Sequence, residues 1–338
     1  MGSNSAYLAS VYDRIHRFVL ITEGKMNLFF ITLIAVVVLL VMAASGYVLI
    51  RRKMVSDNAM ADFSKALLYI CQPCLYVYTF LSLPRSVENL IKIGVFTALA
   101  VLINAIMLVS AFLILYKKSK EPIYRIITLA TTFANCAFFG IPIIEAVMPS
   151  VASELIVYTM AYAFVMNILA WTVGSAIISH DRKYISLKKA FLNPTMFGLV
   201  LALTLYCIGV NLHPTLASGI ECTARMATPL SMIIMGMRLA TSRLSDMVKD
   251  YRVYITVLVK QFVMPIVAFL VVMLFSGVDL YLRKTLFIIC ACPVASIVLN
   301  FAEIIGHGQK DAANITLMST ILSVITLPVM MLLLPYIK

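Results

Sequence analysis

Long apolar runs alternate with short polar stretches along this chain from end to end. Runs near the length of a membrane span lie at about 27–50, 61–83, 91–116, 123–147, 154–179, 194–211, 215–240, 253–275, 284–305 and 311–337. About 20 apolar residues at 1.5 Å each cross a hydrocarbon core of about 30 Å. In such a core every backbone N–H and C=O must be bonded internally, and the short alternating segments of a membrane barrel are missing from this pattern. The ten runs are therefore predicted to be helices.

Helix breakers recur along the chain in a way that divides it in two. Pro73 in the second run and Pro142 in the fourth are 69 residues apart; Pro229 in the seventh and Pro293 in the ninth are 64 apart. Five spans per half would turn the second half over relative to the first. The expected fold is an all-α integral membrane protein of ten transmembrane helices, arranged as two inverted five-helix repeats with broken crossing helices four and nine. The boundaries that follow are an N-terminal extension over 1–25, a first repeat over 26–180, a cytoplasmic linker over 181–192 and a second repeat over 193–338. Within the extension, Asp13, Arg14, His16, Arg17, Glu23 and Lys25 surround the apolar stretch Phe18 to Ile21. That stretch is too short for a signal-peptide core, so an interfacial helix is expected there, and Met26 is an alternative start.

Composition sharpens the class. Of 338 residues 62% are hydrophobic and 12% charged, against about 45–50% and about 25% in soluble domains; mean hydropathy is +0.99. A water-soluble fold is excluded. The net charge of +12 could suit a nucleic acid, but the basic residues sit between apolar runs and not along one solvated face, so nucleic-acid binding is not expected. Sixteen basic residues fall in the connections after runs one, three, five, seven and nine, and nine on the opposite side. The positive-inside rule then places both termini outside a plasma membrane, the inner membrane in a bacterium. The seven cysteines lie in or beside apolar runs, which argues against a disulfide framework. The same setting argues against redox chemistry at Cys71-Gln-Pro-Cys74.

Two segments carry the candidate chemistry. Run four reads Asn135-Cys136-Ala-Phe-Phe-Gly140-Ile-Pro142, and run nine reads Cys290-Ala-Cys292-Pro293-Val-Ala295-Ser296. Proline removes a backbone donor and strains the preceding turn, while glycine adds backbone freedom and permits close approach. Paired interruptions of this kind point to a transporter site, where half-helix N-termini aim positive dipole ends at an anion. Lys260, about eight residues into run eight, is read either as a counter-charge for that anion or as a lysine snorkelling to the surface. Asn104 precedes it by 156 residues, as Pro73 precedes Pro229. Gln72 beside Pro73 is a candidate to face the crossing helices, and Glu145 a candidate coupling carboxylate. Arg238 is read as an interfacial anchor, Glu88 and Lys92 as a solvated i,i+4 pair, and Met226, Met232, Met235 and Met237 as packing. No cofactor or metal site is expected. An intramembrane enzyme would need a His-Glu-x-x-His helix, an aspartate pair or a Ser–His arrangement in the spans. None is visible, and His16, His180, His213 and His307 all lie outside the runs.

The segment Asn135-Cys-Ala-Phe138-Phe-Gly140-Ile-Pro142 resembles the Asn-x-x-Phe-x-Gly-x-Pro signature of span four in the auxin efflux carrier family. Pro293, Ala295, Ala302 and Gly306 are similar to that family's span-nine pattern, and Leu322 to Pro328 to its Leu-Ser-x-Ile-Thr-Leu-Pro sequence in span ten. The resemblance covers nearly everything after Met26 and extends to the bile/arsenite/riboflavin transporter-like superfamily. It implies a scaffold domain, a transport domain holding crossing helices four and nine, and a homodimer. It also implies secondary transport of small organic anions; independently of the resemblance, a proton or sodium ion is the candidate coupling species. By alignment Asn135 is the substrate-facing amide. The family often has an asparagine just after the span-nine proline, where this chain offers Ser296 and Ile297, with Asn300 a turn later. The expected substrate-binding set is thus Asn135, Cys136, Gly140, Pro142, Pro293, Ser296, Ile297, Asn300, Lys260 and Gln72. A channel, or a receptor that binds without transport, is the alternative.

Overall fold

A computed structural model describes the backbone of residues 3–338, apart from 57, 182, 184, 186, 192, 193 and 243. Side chains are described from Met26 onward, apart from those positions and 187, 189 and 244–246. Among the described residues the chain is helical almost throughout, with no strand beyond one isolated antiparallel bridge between Ala134 and Val294. Five helical stretches among the described residues are long and apolar enough to cross a membrane: Met26–Arg51, Val87–Lys118, Pro149–Ser179, Tyr251–Leu274 and Gln309–Tyr336. The other runs fold as shorter or interrupted helices. Run six is Pro194–Ile208, run seven is Pro214–Arg225 followed by Ala227–Thr241, and run nine is Leu280–Ala291 followed by Ser296–Ile305. The helix of the first run starts as far back as Ser3 and continues to Arg51. The expected separate interfacial helix is thus joined to run one, because no proline intervenes and Gly24 alone costs only about 1 kcal/mol.

Proline shapes the interrupted helices in a consistent way. The wide turns Leu67–Cys71, Cys136–Gly140 and Val259–Val263 each end two residues before a proline, Pro73, Pro142 and Pro265 respectively. Each ring removes the N–H that would bond the carbonyl four residues back and also crowds that carbonyl. Shifting to i→i+5 bonding for one turn moves the crowded carbonyl aside while keeping its neighbours satisfied.

The helices pack in two groups. In the first, Ser3–Arg51 lies along Ala227–Thr241, and Gln72–Leu81 is held between Pro194–Ile208 and Pro214–Arg225. Small residues permit this: a Cβ on Gly236 would overlap the Ala43 carbonyl oxygen, one on Gly46 the Ile233 carbonyl, and one on Gly198 would come 2.7 Å from Pro73 Cα. Close backbone approach gives dispersion contact where lipid offers no hydrophobic drive. In the second group, Val87–Leu115 packs on Pro122–Thr132 and Ala152–Leu169, and Gln309–Met331 packs on Tyr251–Leu258 and Ser296–Ile305. The groups meet where Ser3–Arg51 crosses Gln309–Met331 and Ile141–Val147. Side chains such as Ile114 and Leu274 stay exposed on the outer faces, as a lipid-facing surface requires.

Among the basic residues counted with the connections, Arg125 and Arg283 are buried within the bundle. Arg125 is buried in Pro122–Thr132 and donates to the Ile178 carbonyl at 2.8 Å. Arg283 is buried in Leu280–Ala291 and donates to the carbonyls of Val278 (2.9 Å) and Lys338 (2.7 Å). Both tie helix ends to neighbouring backbone, which a guanidinium with five donors does well.

Candidate functional site

The interruptions of runs four and nine meet each other. Run four leaves its helix after Thr132, passes through Phe133 to Asn135 in non-helical conformation, and resumes at Cys136. Run nine does the same from Cys292 to Ala295. The Asn135 N–H donates to the Pro293 carbonyl at 2.8 Å, and the Ala295 N–H donates to the Phe133 carbonyl at 3.0 Å. The donors and acceptors released by each break are thus partly satisfied by the other, which is how non-helical backbone is tolerated at membrane depth. Ser319 of run ten accepts from the Val294 N–H at 3.0 Å and braces the crossing from behind.

A cavity of about 520 Å³ opens beside the crossing, between the two groups of helices. Asn135 and Cys136 of run four, and Ser296, Ile297 and Asn300 of run nine, form one wall; Gln72, Thr195, Ser231 and Arg238 belong to the other. Asn135 is 4% exposed, and its amide nitrogen Nδ2 has no hydrogen-bond partner among the described residues. A buried amide donor left unpaired costs about 1–3 kcal/mol, so the amide of this wall residue gains by turning to a ligand's acceptor. Gln72 differs, since its amide donates to Tyr76 Oη at 3.0 Å and accepts from Thr195 Oγ1 at 3.1 Å. It shapes the wall with its polar groups already engaged.

A second cavity, of about 420 Å³, lies toward the other side and is lined by Tyr78, Ser82, Pro142, Glu145, Ser153 and Arg225. The larger one reaches residues next to the connections over 52–58 and 242–250, such as Ser64 and Arg238. Only about one turn of runs two, four and seven parts them: Gln72 from Leu75, Phe138 from Ile141, Ser231 from Thr228.

The structure therefore gathers six of the expected site residues, Gln72, Asn135, Cys136, Ser296, Ile297 and Asn300, around one cavity. Pro142 and Glu145 line the other. Pro293 contributes its carbonyl to the crossing and lines neither of these two cavities. Gly140 is helical, at φ −66° and ψ −39°, and an added Cβ would meet Cys292 Sγ at an ordinary 3.5 Å. The special backbone freedom and close approach expected of this glycine are not used. Lys260 neither snorkels nor faces the cavity: its exposure is 0%, and its ammonium donates to the Cys290 carbonyl and Met264 Sδ, each at 3.0 Å. Its pseudo-equivalent Asn104 is likewise buried, donating to the Ala100 carbonyl and accepting from Tyr162 Oη at 3.2 Å.

Arg238 and Glu303 are the functional candidates that sequence reasoning missed. The Arg238 guanidinium pairs with the Glu303 carboxylate and donates to Asn300 Oδ1 at 3.3 Å. Arg238 was visible as a charge near the end of run seven but was assigned to the interface. Asn300 and Glu303, three apart in one apolar run, mark a single polar helix face. Asn167 and Trp171 of run five complete the wall, and Trp171 meets Phe301 edge to face at 4.7 Å between ring centroids. The expected Lys92–Glu88 pair is present at 3.0 Å and reaches Glu154 at 3.8 Å. All seven cysteines are free thiols.

Residues 31–331 match the family model described as Membrane transport protein. A comparison with curated proteins gave no match. Two interrupted helices crossing inside an apolar bundle agree with the motifs at Asn135 to Pro142 and Pro293 to Gly306, and the family match spans both crossing helices and nearly all of the chain. It is a family of transporters and not of enzymes, and this chain belongs to it: the auxin efflux carrier, or membrane transport protein, family.

Proposed function

We propose that the protein is a secondary transporter that moves a small organic anion across a cell membrane by alternating access, with Asn135 as the substrate-facing amide. The observation that carries this reading is that Asn135 lines the larger cavity beside the crossing of runs four and nine while its buried Nδ2 has no partner among the described residues. The substrate would lie between the two helix groups and accept from Asn135, near the start of the half-helix Ser296–Ile305, whose N-terminal dipole favours negative charge. Two cavities parted by about one helical turn suit a carrier whose site is opened to one side at a time. In this reading the runs form two inverted five-helix repeats, 26–180 and 193–338. The larger cavity faces the cytoplasm, Glu145 in the smaller one is the candidate for proton or sodium coupling, and the carrier assembles as a homodimer.

Purified protein in liposomes tests the proposal. Saturable uptake of a labelled carboxylate, accelerated by unlabelled substrate on the far side, is expected of a carrier. Flux that rises linearly with concentration would make the protein a channel, and binding without flux would make it a receptor.

A further inference from the structure

We propose that Arg238 receives the substrate's carboxylate and that Glu303 occupies it in the empty carrier, so the Arg238–Glu303 pair is a latch that an anionic substrate opens. The inference rests on the reading of the protein as an organic-anion carrier and adds how the anion is recognised and how binding is tied to movement.

Arg238 lies near the end of Ala227–Thr241, in the helix group formed by runs one, two, six and seven. Glu303 and Asn300 lie one turn apart on Ser296–Ile305, the second half of run nine, in the other group. All three line the larger cavity; among its described lining residues Arg238 is the one cation and Glu303 the one carboxylate. Lys260, fully buried behind the crossing, is turned onto the Cys290 carbonyl and is unavailable to a ligand in the cavity.

The geometry of the pair fits an exchange of carboxylates. A guanidinium presents a planar fork that matches one carboxylate at a time, and here Glu303 uses both oxygens, Oε1 on Nη1 and Oε2 on Nη2 at 3.4 Å. The arginine side chain is 15% exposed and held further by Asn300, whereas the glutamate side chain is 45% exposed. Arg238 is therefore the fixed partner, and Glu303 the one able to turn to water, where its charge is solvated. While Glu303 stays in place the paired charges offer an anion little net attraction. Once an incoming carboxylate takes the fork, the ion pair joining the two helix groups is broken. The empty carrier is thereby held and the loaded one released, so exchange of substrate should outpace net flux.

The test uses malonate, malate and indole-3-acetate with their amides as probes, and isothermal titration on the wild type, Glu303→Gln and Arg238→Gln. Removing the internal competitor raises the fraction of carriers with a vacant fork, so Glu303→Gln should tighten the bound anion by about fivefold or more and leave its amide unchanged. Arg238→Gln should weaken the anion by about tenfold or more, again sparing the amide. An anion affinity unchanged or weakened in Glu303→Gln, with wild-type anion binding intact, would overturn the latch alone. Wild-type protein that binds amides and no acid would overturn the anion reading and the latch together. A measurement independent of variants is the ratio of exchange to net efflux in wild-type proteoliposomes: exchange is expected to be several-fold faster, and equal rates would sink the latch.

Discussion

The Lys260 ammonium donates to the Cys290 carbonyl oxygen 3.0 Å away, at the point where the first half of run nine ends. In an unbroken helix that carbonyl would accept from the Val294 N–H, which instead donates to Ser319 Oγ. Lys260 therefore caps a carbonyl that the break leaves without its helical donor. Beside it, Gln261 donates to the Ser319 carbonyl at 2.6 Å and accepts from Thr326 at 2.9 Å. Runs eight, nine and ten are in this way pinned together behind the crossing.

From this relationship Lys260→Ala is expected to lower the thermal stability of the empty protein. The substitution opens a void and leaves the Cys290 carbonyl unpaired, at a cost of about 1–3 kcal/mol for the carbonyl alone. The ratio of affinities for an acid and its amide should stay at the wild-type value, because the ammonium is turned away from the cavity. Thermal unfolding and titration of both ligands check the two halves of this prediction. A ratio that fell tenfold would put the lysine's charge at the substrate.

Asn135→Ala is expected to show the opposite signature. Its Nδ2 has no partner among the described residues, so truncation should leave stability nearly unchanged or slightly raised. Affinity or transport should fall by roughly five- to a hundredfold, since a buried ligand acceptor would lose its donor at about 1–3 kcal/mol. Unfolding curves and titrations on the same preparation separate the two effects. Wild-type affinity in a stable Asn135→Ala protein would remove this residue from the site.

How much of this was legible beforehand differs from residue to residue. The apolar runs and the breaks at Asn135–Pro142 and Cys290–Ser296 were readable because bilayer thickness fixes span length and proline deletes a donor wherever it stands. That Asn135 and Ser296 share a cavity followed from the pairing of those breaks. Lys260 was misread because one-dimensional spacing gives depth along a helix and not direction around it. The wide turn over Val259–Val263 also alters the angular phase that a 3.6-residue period would assign. Glu303 was missed for a related reason: it is one carboxylate within an apolar run, and its partner Arg238 is 65 positions away in the chain. Gly140 was over-read, because a glycine beside a proline in a motif invites a backbone explanation that its helical φ and ordinary Cβ contacts do not support.

Glycines supply a third test, at Gly236 in a helix contact and at Gly140 within the run-four motif. Gly236→Ala should be severely destabilising, because its Cβ would overlap the Ala43 carbonyl and force Ser3–Arg51 away from Ala227–Thr241. Overpacking of this kind costs about 1–3 kcal/mol or more. Gly140→Ala, within the motif, should be tolerated and should gain a little helix propensity, about 1 kcal/mol at most. Melting temperatures of the two variants in one detergent decide the matter, and the reverse order would contradict the packing described.

The last prediction concerns orientation, for which the division of basic residues, sixteen against nine, is the motive. Positively charged connections stay on the cytoplasmic side because moving them across an energised membrane is unfavourable. Lys118 lies in the connection after run three, and Val87 at the opposite end of the same helix, separated by the 29-residue Val87–Leu115. At 1.5 Å per residue that helix is about 44 Å long, enough to place its ends on opposite sides of a bilayer. Single cysteines at these positions need a background without Cys207 and Cys222, which are exposed and would react on their own. In intact cells an impermeant thiol reagent is expected to label Val87→Cys, and to reach Lys118→Cys only after the membrane is opened. The opposite pattern would invert the topology, turn the larger cavity outward, and make the Arg238–Glu303 pair an outer closure instead of an inner one.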